Sequence, residues 1–594
     1  GHGAGGAVTT GIQNTLIGGL AGDALQASSE NVVIGYEALT DSSASTGNAV
    51  IGHQAMGNMQ DGDNNVAVGK LAMFGGSGSN ANNNTAIGTQ ALRLTTTGSN
   101  NVAVGFTAGK ASTTGHSNVA IGFESLLAED TGRKNVAVGY ETLKNQNSDA
   151  DNFNVAVGYQ AGGDITTGIQ NTLIGGLAAD NLTTGNHNVA IGKSALDAET
   201  AGNQSIAIGL QALAAQNNSS STNAFNVAIG SQAGLSVTTG LQNVIVGGLA
   251  GDALTDADDN VAIGTVALTA DTLGSRSVAV GRGTLGTQNF TSATNTNNTA
   301  VGYDAGAAIT TGTENTLIGA LAGDALTDAD LNVAVGASAL SSDTLGSASV
   351  AIGKGALAVQ NFTSATNTFN TAVGHNAGLS TTTGVLNTLI GGRAGDALTT
   401  GNTNVAVGTD SLSAEIQGDR NVAVGYAALE SQANSSDTDV YNTAIGYFAG
   451  GSITTGVQNT IVGGLAGDAL TSADENVAIG MIALSADTAG TRAVAIGVSA
   501  LASQNFSSSQ DNYNVAVGFQ AGLSVTTGVQ NVLLGGLAGD AITDADFNIA
   551  IGFGALGANT VGSKSVAIGQ GTLGAQNPGS ATDMHNVAIG HQAG

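Results

Sequence analysis

The chain has 594 residues, 91 of them Gly, with 1 Pro and neither Cys nor Trp, which excludes a disulfide framework, a thiolate metal site and a cysteine nucleophile. Its 14 Lys and Arg against 43 Asp and Glu give a formal charge of −29, opposing contact with nucleic acid or an anionic membrane. Charged residues are only 10% of the chain and apolar ones 41%, a composition that folds rather than one that stays disordered. No apolar run approaches the roughly 18 residues of a membrane span, and Gly1-His2-Gly3 has no signal pattern. The C-terminal Gln592-Ala593-Gly594 repeats Gln160-Ala161-Gly162, so the expectation is a segment of a longer chain.

In chain order, one motif recurs, as in Asn154-Val155-Ala156-Val157-Gly158, Asn188-Val189-Ala190-Ile191-Gly192 and Asn260-Val261-Ala262-Ile263-Gly264. With its Gly as anchor there are 34 positions from Gly1 to Gly590, most of them at a step of 17, as in Gly158, Gly175, Gly192 and Gly209. Residues 1–157 are an irregular stretch of these repeats, with longer steps from Gly69 to Gly88 and from Gly139 to Gly158. Residues 158–589 are six super-repeats with a period of 72, each stepping 17, 17, 17 and 21, and residues 590–594 begin the next.

Positions within the repeat have fixed chemistry. Asn stands four residues before the anchor in 28 of 33 cases, among them Asn154, Asn171, Asn188, Asn226, Asn243 and Asn260; Ser205, Ser277, Ser349, Ala493 and Ser565 replace it. Ala, Ser or Thr always stands three residues after it. Val and Ile in a short run closed by Gly suit a strand with a tight corner, whereas Gly inside helical repeats costs about 1 kcal/mol each. The period predicts an all-β protein, a parallel β-solenoid (β-roll) of about 34 coils. Coils about 4.8 Å apart would make a rod on the order of 160 Å long, with the Asn side chains stacked as a ladder.

A strand such as Val155-Ala156-Val157 is apolar on both faces, and a narrow coil encloses one. The other is expected to meet a second copy of the chain. Leu173, Ile245, Leu317, Leu389, Ile461 and Leu533 replace the central Ala once in every super-repeat, and these are expected to be periodic contacts in a side-by-side homo-oligomer.

Strings such as Ser277-Val278-Ala279-Val280-Gly281, Ser349-Val350-Ala351-Ile352-Gly353 and Ser565-Val566-Ala567-Ile568-Gly569 resemble the head repeats of YadA-like trimeric autotransporter adhesins. Asn135-Val136-Ala137-Val138-Gly139-Tyr140-Glu141-Thr142-Leu143 is also similar to repeats of bacterial and phage fibre proteins. The resemblance implies a trimeric β-roll on a bacterial surface, anchored in an outer membrane through a part not present here. The repeat step departs from that family's, being longer by about three positions.

The fourth coil of each super-repeat has four extra residues, expected to protrude as a loop through Asn217, Asn289-Phe290, Asn361-Phe362 and Asn505-Phe506. Phe153, Phe225, Phe369, Tyr441, Tyr513 and His585 stand near its return, with Asn297 the outlier. Such loops are either repeated contact sites that gain by multivalency or spacers anchored by that aromatic. Asn289-Phe290-Thr291, Asn361-Phe362-Thr363 and Asn505-Phe506-Ser507 match N-glycosylation acceptors. Asp252, Asp256 and Asp258, and again Asp324, Asp328 and Asp330, offer oxygen ligands for Ca²⁺, though without a known calcium-loop spacing; solvated turn carboxylates are the alternative. The seven His residues are scattered, and neither a catalytic constellation nor a phosphate loop occurs. The expectation is a structural segment of an extracellular fibre, surface appendage or adhesin, with no enzymatic activity and no cofactor. Its partners would be copies of itself, three as the first stoichiometry, and host or prey surfaces or glycans. A phage tail-fibre shaft and a calcium- or glycan-binding adhesive module are the alternatives.

Overall fold

A computed structural model describes residues 1–594. The structure is all-β: it contains no helix, and its 33 principal strands are three residues long and parallel. The chain divides into two compact units, Gly1–Asn297 and Asn298–Gly594. Each is a parallel β-solenoid whose commonest winding carries the chain from one strand to its paired equivalent, as from Thr172 to Val189 in the first unit and from Thr316 to Val333 in the second. The change of period at residue 158 is not a structural boundary, because Val155–Val157 pairs with Val136–Val138 on one side and Thr172–Ile174 on the other.

Register is strict. Thr172, Leu173 and Ile174 lie opposite Val189, Ala190 and Ile191. In the second unit Val422–Val424 pairs with Thr443–Ile445 in the same register across the longer step, so the four extra residues are absorbed outside the strand. The long winding there adds a second, two-residue strand that pairs with the winding before it, as where Thr366–Asn367 pairs with Gly346–Ser347.

The anchor Gly is obligatory for a steric reason. Gly158 has φ near 145°, and a Cβ placed on it would stand 2.4 Å from the carbonyl oxygen of Gly175 in the next winding. The winding also bends at non-Gly residues with positive φ, such as Gln160 at 52°, Gln170 at 60° and Leu196 at 55°. That conformation is uncommon outside Gly; here the bend at Leu196 carries its side chain into the core, where it is fully buried.

The centre of each strand points inward. Ala156, Ala190 and Ala262 are fully buried, and so are Leu173, Ile245, Leu317, Leu389, Ile461 and Leu533. This corrects the expectation that the larger residues contact another copy. The reason is a volume exchange along the winding. Where the fourth residue after the anchor is Leu, as at Leu196, Leu213, Leu412 and Leu429, the strand of that winding has Ala at its centre, except at Leu39, where it has Val33. Leu389 instead lies between Gly378 and Gly395, and its two methyl carbons are 2.7 Å and 2.9 Å from where their Cβ atoms would be. Ile245 stands likewise at 2.9 Å and 3.4 Å from Gly234 and Gly251. Core volume is thus conserved at near-crystalline density while the residue supplying it changes.

Candidate functional site

Three surfaces or clusters concentrate the chemistry of this chain: the outer face of the strands, the loop of the long winding with its base, and the acidic turns.

The outer face is built from the first and third residue of each strand, because side chains alternate. In all 33 principal strands these positions hold only Val, Ile, Thr, Leu or Ala. The face is open: Ile174, Ile229, Ile318 and Ile390 are 38–40% exposed. The residue after the anchor extends it. Phe106, Phe123, Tyr140 and Tyr159 stack in a row with ring centroids 5.4, 5.1 and 5.2 Å apart and interplanar angles of 11°, 8° and 7°. Tyr426 and Tyr447 form a second stack at 5.6 Å.

Asn154, Asn171, Asn188, Asn226, Asn243 and Asn260 are fully buried and tie consecutive windings through side chain to backbone more than amide to amide. Asn154 Oδ1 accepts the Asn171 backbone N–H at 2.9 Å, while Asn154 Nδ2 donates to the Gly168 carbonyl at 2.8 Å. Asn171 and Asn188 donate to Gly185 and Gly202, and Asn226, Asn243 and Asn260 to Gly240, Ala257 and Gly274, over 2.7–3.0 Å. The direct Asn171 to Asn154 amide contact is longer, 3.3 Å. Where Ser205 interrupts the column, Gln216 enters: its Oε1 accepts from Asn226 Nδ2 at 2.9 Å and its Nε2 donates to Ser205 Oγ at 2.9 Å. At Ala493 the backbone N–H still reaches Asn476 Oδ1 at 2.9 Å, so only the side-chain bond is lost.

Beneath the long-winding loop of the first five super-repeats lies a buried carboxylate that the sequence reading missed. Glu199, Asp271, Asp343, Glu415 and Asp487 are fully buried and recur once in each of the first five super-repeats, with Asn559 in the sixth, the one signal that could have separated them from solvated acids. Asp343 Oδ1 accepts from the N–H groups of Gly346 and Phe362, both at 3.0 Å, and Oδ2 from Gln360 Nε2 at 2.6 Å. Glu199 Oε1 accepts from the N–H groups of Thr200, Ala201, Gly202 and Asn218 between 2.7 and 3.1 Å, and Oε2 from Gln216 Nε2 and Asn218 Nδ2. Charge-assisted acceptance of several N–H groups offsets the cost of burying an ion. Burial nonetheless pushes the Asp271 carboxyl up, against the hydrogen bonds from Gln288 and the Phe290 backbone.

The loop residues divide into two classes. Asn217, Asn289, Asn361 and Asn505 are exposed. Phe290, Phe362 and Phe506 are only 7%, 7% and 4% exposed, so they are plugs of the loop rather than contact residues. The rings at the loop's return are the ones that face solvent: Phe153, Phe225, Phe369, Tyr441 and Tyr513 are all about half exposed. The anchor and the displayed ring are therefore the reverse of the sequence expectation. Several displayed rings have a cation over one face: Lys134 Nζ is 4.7 Å from the Phe153 centroid, and the Arg420 and Arg492 guanidinium carbons are 5.5 and 5.8 Å from Tyr441 and Tyr513. Each of these cations also meets a carboxylate two residues before the ring, Asp151, Asp439 or Asp511. Where Gln204 and Ala348 replace the cation, Asn223 and Asn367 replace the acid.

The acidic turns do not form a cation cage. Asp256 accepts from Thr239 Oγ1 at 2.5 Å, Asp258 from the Leu241 N–H at 2.7 Å and Asp252 from Thr269 Oγ1 at 2.5 Å. Asp328 and Asp330 bind Thr311 and Thr313 in the same way. No three carboxylate or imidazole side chains come together as metal ligands: Asp256 and Asp258 turn to separate donors on the preceding winding, and Asp252 to one on the following winding. Asp324 and Asp468 each leave one oxygen buried without a partner, and burial raises both carboxyls. Asp180, in a groove with Glu141, Lys144, Gln160 and Asp164, is pushed up to about 6 by burial and by the charges of Asp164 and Asp197. Lys144 bridges Glu124 and Glu141 at 2.9 and 3.0 Å.

Comparison with protein-family models, curated proteins and solved structures returned no match. The outer strand face, the loop and their geometry carry the functional reading on their own.

Proposed function

We propose that the chain is a structural segment of a long extracellular fibre or surface appendage of the adhesin kind, in which copies pack side by side through the outer strand faces. One observation carries this reading. A chain of net charge −29 keeps one face free of charge in every strand, so that face is where two copies approach with least repulsion. The size fits a second copy: about seventeen windings in the unit Asn298–Gly594, about 4.8 Å apart and roughly 10 Å wide, offer on the order of 800 Å², one partner's share of a standard interface. In the unit Gly1–Asn297 the aromatic row Phe106 to Tyr159 adds rigid apolar area beside that unit's own strands. Three copies is the first stoichiometry to test, given the likeness to trimeric surface-fibre repeats. Neither a catalytic step nor a cofactor belongs to this reading.

Sedimentation of the purified chain over a range of concentrations tests it. Association is expected, together with loss of at least tenfold in affinity for an Ile318→Lys, Ile390→Lys, Ile445→Lys triple variant whose circular dichroism matches the parent. A parent that stays monomeric at high concentration, or a variant that associates as well as the parent, overturns it.

A further inference from the structure

We propose that Asn217, Asn289, Asn361 and Asn505 are acceptor sites for N-linked sugar, presented in one pose by the long-winding loop. This goes beyond the packing of copies and does not depend on it.

The sequence pattern Asn-x-Ser/Thr is frequent in an Asn-rich chain, and the structure separates its instances. At Asn289-Phe290-Thr291, Asn361-Phe362-Thr363, Asn505-Phe506-Ser507 and Asn217-Asn218-Ser219 the first and third residues are exposed and the middle one is buried. Alternation along an extended chain then puts the amide and the hydroxyl on the same solvent side, the arrangement that a transferase reading both groups requires. The middle residue is pinned: the N–H groups of Asn218, Phe290, Phe362 and Phe506 donate to Glu199, Asp271, Asp343 and Asp487 at 3.0–3.2 Å.

The acceptor amide is oriented as well. A threonine hydroxyl of the preceding winding shares its proton between the amide oxygen and the backbone carbonyl of the middle residue: Thr200 stands 3.0 Å from Asn217 Oδ1 and 3.2 Å from the Asn218 carbonyl, while Thr272, Thr344 and Thr488 stand 3.1–3.2 Å from the Asn289, Asn361 and Asn505 amide oxygens and 2.8–2.9 Å from the Phe290, Phe362 and Phe506 carbonyls. The Nδ2 group is left without a protein acceptor and stands in water. Other instances lack this pose. Asn181 of Asn181-Leu182-Thr183 donates its Nδ2 to the Asp197 carbonyl at 2.9 Å. In Asn203-Gln204-Ser205 both Asn203 and Ser205 are buried, and Asn434 of Asn434-Ser435-Ser436 is 8% exposed. Asn577 has the threonine partner, Thr560 at 2.8 Å, but Pro578 and Gly579 follow it and break the pattern.

In the reaction, Asn Nδ2 forms a bond to the anomeric carbon of a sugar joined to a diphosphate, either a nucleotide sugar or a lipid-linked one. The anomeric C–O bond to phosphate breaks, the diphosphate leaves with the electron pair, and the amide proton passes to a base of the separate transferase; no redox change occurs. Within the first unit Asn217 and Asn289 are four windings apart, about 19 Å, far enough for each to carry its own sugar.

The test is glycopeptide mass spectrometry of the chain isolated from the cells that make it. Sugar is expected at Asn217, Asn289, Asn361 and Asn505 and absent from Asn181, Asn203, Asn434 and Asn577. Thr291→Ala, made in that source, should clear Asn289 alone, leaving the other three occupied and the hydrogen exchange of the Phe290 amide unchanged. Bare Asn at all four positions overturns the proposal, as does equal occupancy of Asn181 or Asn203, which would show that sequence and not presentation selects the site.

Discussion

The loop bases of the long windings come in two kinds. At Asp271, Asp343 and Asp487 a short acid faces Phe290, Phe362 and Phe506; at Glu199 and Glu415 a longer acid faces Asn218 and Asn434. The extra methylene lets Glu415 Oε1 collect the N–H groups of Ile416, Gln417 and Gly418 and Oε2 take the Asn434 amide. The shorter Asp collects fewer donors, and the ring of Phe fills the remaining space. At the last loop Pro578 offers no N–H, and there the acid is replaced by the neutral Asn559, which turns both ends of its amide to Gly562. The lesson is that this buried site conserves satisfied hydrogen bonds and filled volume as a pair, and keeps its charge only while two windings supply donors.

The largest expected effect comes from breaking that pairing. Phe362→Ala should lower the local stability of its loop by about 3–5 kcal/mol, read as faster hydrogen exchange of the loop amides, since repeats open locally. Phe362→Asn alone should remain destabilised, while the double variant with Asp343→Glu should recover a coupling of about 0.5–3 kcal/mol. Simple additivity of the two changes would show that the two kinds of base are accidents of drift.

A smaller effect concerns the acids of the turns. Asp180 has a folded pKa of about 6, raised from 3.8, so the folded state binds its proton more tightly than the unfolded one. The stability it brings is full below about pH 4 and lost as pH rises through 6. Asp324, Asp396, Asp468 and Asp540 are raised in the same direction by burial. The windings should therefore melt at higher temperature at pH 5 than at pH 7.5, and Asp180→Asn should flatten part of that slope. A melting temperature that falls between pH 7.5 and 5 would contradict these assignments.

The smallest effect concerns the displayed rings. Arg492→Ala removes exposed pairs with Glu475 and Asp511 and should lower the melting temperature only slightly at low salt and less at high salt. A loss several times larger, read by thermal melting, would mean that the cation over Tyr513 holds the loop.

Much of this is legible in the sequence and some is not, for identifiable reasons. The windings, their parallel register and the column of Asn residues follow from a Gly and an Asn that recur at fixed spacing. The role of Phe290, Phe362 and Phe506 is hidden, because an aromatic in a polar loop looks the same whether it plugs the base or faces a partner. The buried acids are lost among 43 acidic residues whose neighbours give no local sign of burial. The aspartates at 252, 256 and 258 look like a ligand set, but nearness in sequence is not nearness of side chains when Asp252 reaches the following winding and Asp256 and Asp258 separate donors on the preceding one.

By itself the sequence determined the winding, since a residue whose Cβ would strike the next winding must be Gly and its period is the period of the coil. The tertiary structure alone decided which way each strand faces. Val-Ala-Val is apolar on both sides, and only the narrow interior, filled by Leu from the turn or by Leu and Ile from the strand centre over paired Gly, turns the small central residue inward and leaves the branched residues outside.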